Sequence, residues 1–447
     1  MFRLSTGALW ALLGLQLIAC DSDDEPAPEM QPHAALTPTP TPPLPVAPAR
    51  PPAPAAGSAC ATAPEGVSTI ERPMFPGRSD SPSFGYSFKV YPGTDPSAPT
   101  VIYLPGGPGE ASISAERAVD VVPTTYTLIA TDPRGVGCSA PEAVDDYPSE
   151  FYDSVSLAGD VLGIVQSLRL DNYILYGLSY GTALATITAS RAEAEGITPP
   201  KALVLEGVLG ADFPRDGEVE ESFQSQWRIV RDRLPEAVRA QLVATPLPLG
   251  LSAAEWGNAI TTLLSLATVA PPLSLAESLL LSLLPEASEE ERQSLRETVL
   301  ELNAAPLDAF GLRLHEELSC HELTETNFRT LSLEGGELVR TESYCEDEPL
   351  DRPYAAADWP VSVPIYYFSG TDDPNTPTWQ VQAHDAAEVG APRQLVSVIA
   401  AGHNPLSFNL ADCLDVLWSA IAAGSGLGAA VESCPWPTAL TSSAAGG

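Results

Sequence analysis

The sequence predicts an α/β protein, with a mostly parallel sheet flanked by helices and an inserted helical cap. Three observations carry that prediction. Short apolar runs at 100–104, 127–130, 173–176 and 202–205 alternate with helical patterns and Gly/Pro turns. Strands that are apolar throughout, rather than at every second position, belong in a parallel sheet buried on both faces. Residues 211–355 then read as consecutive amphipathic helices, over 219–242 with a break near Pro235, 253–266, 273–284 and 288–302. Ser288 is the expected N-cap of the last. Apolar strands return at 363–368 and 394–399, and a helix near 410–423 closes the fold. The expected organisation is a first core segment at 58–210, the cap at 211–355 and a second core segment at 356–447.

The elements before residue 58 have another character. Arg3 precedes an apolar stretch at 7–19 that ends Leu17-Ile18-Ala19-Cys20. The stretch has the length of a signal-peptide core and is short for a membrane span. It looks like a lipoprotein-type signal peptide over 1–20, with Cys20 as the lipidated residue. An ordinary signal peptide with a chance cysteine is the alternative. Residues 21–57 begin with an acidic run and hold twelve prolines between Pro26 and Pro54. Such a segment buries little and favours extended geometry, so it reads as a disordered tether. The expectation is export to a bacterial cell envelope, with a membrane partner met only through an N-terminal lipid anchor. The chain carries 22 Lys and Arg against 58 Asp and Glu, a formal net charge of −36. That field repels phosphates and excludes nucleic acid as a partner.

Six cysteines remain: Cys60, Cys138, Cys320, Cys345, Cys413 and Cys434. An even number in an exported chain implies disulfides, in any of fifteen pairings. Proximity along the chain favours Cys320 with Cys345 and Cys413 with Cys434, leaving Cys60 for Cys138. No Cys/His cluster has metal-ligand spacing, and no metal or cofactor is expected.

Chemistry enters at Gly177-Leu178-Ser179-Tyr180-Gly181, directly behind the run 173–176. A strand, a sharp turn carrying a serine and then a helix is the context in which G-x-S-x-G exposes a nucleophile. A serine nucleophile needs a base, and the base an orienting acid. Of five histidines, only His403 sits in a short loop after a strand, beside the small Gly402. The acid belongs after a strand between serine and histidine, where Asp372 and Asp373 compete. Asp373 is preferred because Pro374 holds it away from helical geometry; the other is then free to cap a helix starting near Thr376. The order Ser179, Asp373, His403 is that of an α/β-hydrolase scaffold. Donors for a developing oxyanion are expected from the N–H of Tyr180 and from Gly107, with Gly106 as rival, in the turn Pro105-Gly106-Gly107-Pro108-Gly109.

Taken together, Gly106-Gly107-Pro108-Gly109, the segment Asp132-Pro133-Arg134-Gly135 that runs to Ser139, Gly177 to Thr182, Gly370 to Pro377 and Gly402-His403 resemble the prolyl and tripeptidyl aminopeptidases among the α/β-hydrolases. The resemblance spans about residues 95–435. It implies the α/β-hydrolase fold, Ser179 as nucleophile, Asp373 as acid and His403 as base, and the cleavage of peptides from a free N-terminus. Pro105 stands where the group usually has histidine, and residues 60–95 lack the group's usual opening. Asp132 and Arg134 are expected to form a structural ion pair or turn. A reader of the substrate's α-amine is expected among the carboxylates, with Glu206 and Glu322 as candidates. The predicted function is therefore an exported serine aminopeptidase acting on peptides. A carboxylesterase taking small esters and a non-catalytic binding lipoprotein are the alternatives.

Overall fold

The computed structural model describes residues 65–113, 119–141, 143, 147–212, 218–266, 274–303, 309–323, 328–343, 345 and 350–444. The predicted signal peptide with Cys20, the tether and Cys60 lie outside the described residues.

The strands are β1 (Val67–Pro73), β2 (Ser83–Tyr91), β3 (Thr100–Leu104), β4 (Leu128–Thr131), β5 (Tyr173–Leu178), β6 (Leu203–Glu206), β7 (Phe328–Glu334), β8 (Glu337–Ser343), β9 (Ile365–Gly370), β10 (Arg393–Val398) and β11 (Thr438–Ser443). Nine form one sheet in the order β1-β2-β4-β3-β5-β6-β9-β10-β11. From β4 to β10 in that order the strands run parallel. Successive side chains of each central strand enter opposite clusters. Tyr173 and Leu175 pack on one face of the sheet, and Ile174 and Tyr176 on the other. This is the period of two with both faces covered. Fully burying one such side chain contributes roughly 1.5–3 kcal/mol.

Both edges correct the sequence reading. The first core segment, expected to alternate strands and helices, opens instead with β1 and β2 as an antiparallel pair, and β2 joins β4 antiparallel. Phe84, Tyr86 and Phe88, buried at every second position, are the signal of that edge. At the other end, the helix near 410–423 does not close the fold. A short helix, Gly428–Glu432, follows it, and β11 then pairs antiparallel with β10. The sequence of β11, Thr-Ala-Leu-Thr-Ser-Ser, contains no apolar run to announce it.

Helices α1 (Ser154–Leu168) and α2 (Tyr180–Glu195) cover one face. Between β6 and β9 the chain leaves the sheet and returns at one point, where Ala211 and Ala355 form an antiparallel bridge. The excursion holds α3 (Glu218–Arg233), α4 (Glu236–Leu242), α5 (Ala253–Leu266), α6 (Leu275–Leu280), α7 (Glu289–Leu302) and α8 (Ala309–Leu318). The break between α3 and α4 falls at Pro235, which cannot donate to a helix ladder. Ser288 caps α7 in a reciprocal capping box with Glu291. The excursion is not all helical, however. β7 and β8 form a hairpin around Gly335 and Gly336, whose φ values are +58° and +85°. Positive φ at both central residues is what a two-residue hairpin turn needs. Leu331, Leu333 and Leu338 of this hairpin join Trp227 and Trp256 in a separate apolar core.

Past β9 come α9 (Thr378–Ala387), α10 (Pro405–Phe408), α11 (Leu414–Ala422) and α12 (Gly428–Glu432). Cys320 and Cys345 are joined with Cα atoms 5.2 Å apart, and Cys413 and Cys434 with Cα atoms 5.5 Å apart. The loops they close, 25 and 21 residues long, are of a size at which each bridge contributes about 3 kcal/mol.

Candidate active site

Ser179 lies between β5 and α2 with φ 55° and ψ −123°. A non-glycine residue held there costs about 1–3 kcal/mol, a strain that clusters at functional sites. The flanking glycines make the turn possible. A Cβ on Gly177 would run into the carbonyl of Gly181, and one on Gly181 into the carbonyl of Leu104. The Ser179 amide donates to the Glu206 carbonyl at 2.8 Å, which pins the turn to the end of β6. Tyr180 opens α2, where amides have no intrahelical acceptor.

Asp373 follows β9 and is 3% exposed. Its Oδ1 accepts the amides of Asn375 at 2.8 Å and Thr376 at 3.1 Å. Its Oδ2 accepts the Thr376 hydroxyl at 2.5 Å and lies 2.8 Å from His403 Nδ1. With Nδ1–H donating to the carboxylate, Nε2 is the acceptor of the neutral ring. Burial disfavours the imidazolium, but the charge of Asp373, and beyond it Glu206 and Glu110, outweighs that effect and raises the His403 pKa above its ordinary value. Asp372 does not cap the following helix. Its carboxylate accepts from Thr371, and α9 begins behind Pro377 with no side-chain cap.

Ser179, Asp373 and His403 leave the carboxyl ends of β5, β9 and β10, which with β6 are neighbours in the sheet. Glycines let their loops converge. A Cβ on Gly207, just past β6, would stand 2.6 Å from His403 Cε1. One on Gly370 would run into the carbonyl of Gly402.

Residues 99–256 match the family model described as the alpha/beta hydrolase fold. An AB hydrolase superfamily protein of Bacillus subtilis, YisY, is 31% identical over 117 residues, which is 26% of this chain and 41% of that protein. A provisionally named proline iminopeptidase of Mycoplasma pneumoniae is 30% identical over 105 residues, 24% of this chain and 32% of that protein. The chain thus matches less than half the length of these curated relatives. The crystal structure of a Mycobacterium smegmatis proline iminopeptidase superposes with a TM-score of 0.45 at 16% identity, covering 80% of this chain and 98% of that one.

The fold is that of the α/β hydrolases. In this α/β-hydrolase fold the loop after β3 faces the serine. Gly106 is the closer of the two rival glycines, since a Cβ there would stand 3.1 Å from Ser179 Cβ. Gly107 adopts φ +106°, a conformation that favours glycine. The excursion touches this same edge. The His315 ring meets the carbonyl of Pro108 at 3.1 Å, the His403 amide donates to the carbonyl of Ser265 at 2.8 Å, and the Gln226 side chain donates to the carbonyl of Asp372.

Two predicted amine readers are engaged elsewhere. Glu206 has no exposed surface; its carboxylate accepts the Leu406 amide at 2.8 Å and the Tyr176 hydroxyl. Burial pushes its pKa up to about 7. It holds the segment after His403 from below and has no oxygen open to a ligand. Glu322, likewise pushed up to about 7 by burial, accepts the Ser154 amide at the start of α1. Arg134 does not pair with Asp132 but with Asp160, at 2.8 Å, and stacks on Phe84 and Phe151. Asp132 instead accepts the amides of Ser112, Ile113 and Cys138. Sequence reasoning passed over Glu110, a partly buried carboxylate beside His403 that desolvation holds above its ordinary pKa. Its signal was its place directly behind the Gly-Gly-Pro-Gly turn. Among the described residues no group of three or more His, Cys, Asp or Glu is placed to hold a metal ion.

Proposed function

We propose that this protein is a serine hydrolase, an aminopeptidase that cleaves peptides from a free N-terminus through an acyl-enzyme. The observation that carries the reading is the buried 2.8 Å contact of Asp373 with His403 at the carboxyl edge of the same sheet that carries a serine held at positive φ. As Ser179 Oγ attacks the scissile carbonyl, His403 Nε2 takes the hydroxyl proton, and Asp373 fixes the ring that carries it. Negative charge gathers on the carbonyl oxygen, facing the amide of Tyr180 and an amide of the Gly106-Gly107 turn. The imidazolium then gives its proton to the leaving amine. Water, deprotonated by the same nitrogen, attacks the acyl carbon and restores the serine.

Two things favour peptides over simple esters: the aminopeptidase-like series of motifs, and the similarity of residues in this chain to the provisionally named proline iminopeptidase. A panel of aminoacyl arylamides with free and N-acetylated amines, run beside acyl nitrophenyl esters, tests the reading. Preference for the free amine is expected; preference for blocked or purely acyl substrates would replace the peptidase with an esterase. We further propose export and lipid anchoring at Cys20, supported by the segment Leu17-Ile18-Ala19-Cys20 before an acidic, Pro-rich tether. Metabolic labelling with a fatty-acid probe should be lost in Cys20→Ala; retained label would contradict the anchor.

A further inference from the structure

An aminopeptidase must hold a cationic amine near its nucleophile. A carboxylate able to do so needs oxygens without other partners and a position facing the serine. Glu206 and Glu322 fail the first condition. Glu110 meets both. Among the described residues it makes no hydrogen bond or ion pair. Its Oε2 lies 3.8 Å from the point where a Cβ on Gly106 would stand, and Ser179 Cβ lies 3.1 Å from that same point. Carboxylate and nucleophile therefore flank one glycine, no further apart than those two distances laid end to end. His403 is near enough for the charge of each to act on the other.

This separation decides which amine can be read. In any amino acid the α-nitrogen lies about 2.5 Å from its own carbonyl carbon. Each further residue in extended form adds about 3.3–3.6 Å. The amine of a tripeptide attacked at its third carbonyl therefore lies about 7 Å beyond that of a single residue. Glu110 is beside Ser179, within reach of the nearer amine. An ammonium there gains a charge-assisted hydrogen bond in a partly desolvated place.

We propose that Glu110 binds the α-ammonium of the residue whose carbonyl Ser179 attacks, so that the enzyme removes one N-terminal residue at a time rather than a tripeptide. The assignment rests on the aminopeptidase reading above. It is tested by the preference ratio: kcat/KM for an aminoacyl arylamide divided by kcat/KM for its N-acetyl form, in the wild type and in Glu110→Gln. The ratio should fall about 30-fold in the variant, the size of one hydrogen bond to a charged group, with the loss mainly in KM. Glu110→Asp should recover part of it. The wild type should also prefer the aminoacyl over the tripeptidyl arylamide.

Wild-type cleavage of the free-amine substrate with an unmoved ratio in Glu110→Gln removes Glu110 alone and leaves the aminopeptidase standing. Preference for the tripeptidyl substrate overturns the one-residue register. No cleavage of any free-amine arylamide removes the aminopeptidase reading, and this assignment with it. If Glu110→Gln fails to fold, inhibition of the wild type decides the matter. An aminoacyl amide should compete at least about 10-fold better than its N-acetyl form and than a tripeptide amide; equal competition overturns the assignment.

Discussion

The carboxyl edge of the sheet and the excursion between β6 and β9 meet at the same site but hold it in different ways. Along the sheet, each proposed catalytic residue follows a strand of the parallel core, β5 and β9 buried on both faces and β10 partly so, and backbone contacts hold its loop. Ser179 is tied to Glu206, and Gly370 is packed against Gly402. The excursion has its own core around Trp227 and Trp256 and, among the described residues, reaches the site through contacts from Gln226, Ser265, Gly311 and His315. The difference teaches a division of labour. Damage to the edge should abolish the chemistry, whereas damage to the excursion should change how substrate is admitted.

The sharpest break of that comparison is at the proposed nucleophile. Ser179→Ala should lower kcat by about a million-fold, measured with any substrate the wild type cleaves, at unchanged thermal stability. Asp373→Asn should follow at about 10,000-fold, because the amide no longer holds His403 in the required tautomer. Asp160→Asn probes the same sheet without touching the chemistry. It breaks a buried ion pair with Arg134 and should destabilise the fold by about 3–5 kcal/mol, read by denaturant unfolding.

Glu206→Gln tests electrostatics. The groups whose charge faces His403 are Asp373, Glu206 and Glu110, and together they hold its pKa above the ordinary value. The base must be neutral, so kcat/KM should rise with pH through a pKa above about 6.5. Glu206, itself pushed up to about 7, titrates alongside His403; where it is ionised its charge raises the His403 pKa, so its removal should move the acid limb slightly to lower pH. A limb that stays put would remove Glu206 from the electrostatics of the site. The smallest effect is expected in the excursion: Gln226→Ala should raise KM about threefold and leave kcat nearly unchanged, since it removes one hydrogen bond to the loop of Asp372. A large fall in kcat there would erase the distinction between the two regions.

The sheet and the serine turn were legible because their signals are local. Buried parallel strands are apolar throughout, and Gly177 and Gly181 are required by contacts within a few residues of Ser179. The histidine was legible because few histidines compete with it. The edges were harder. β1 and β2 showed alternation without a tight turn between them, and β11 is mostly threonine and serine. The hairpin β7–β8 did carry a Gly335-Gly336 signal, but the helical patterns around it masked it. Distant partners with no motif around them were not legible. Nothing local says that Arg134 meets Asp160, or that Glu206 and Glu322 are engaged while Glu110 is open.

The claim on which the rest depends is that Ser179 is made reactive by His403. It is tested most directly by a fluorophosphonate probe with the labelled peptide mapped by mass spectrometry. The account predicts one label, on Ser179, in the wild type, and its loss in His403→Ala at unchanged thermal stability. A protein that takes no label, takes it on another residue, or is labelled equally well without His403 would contradict it.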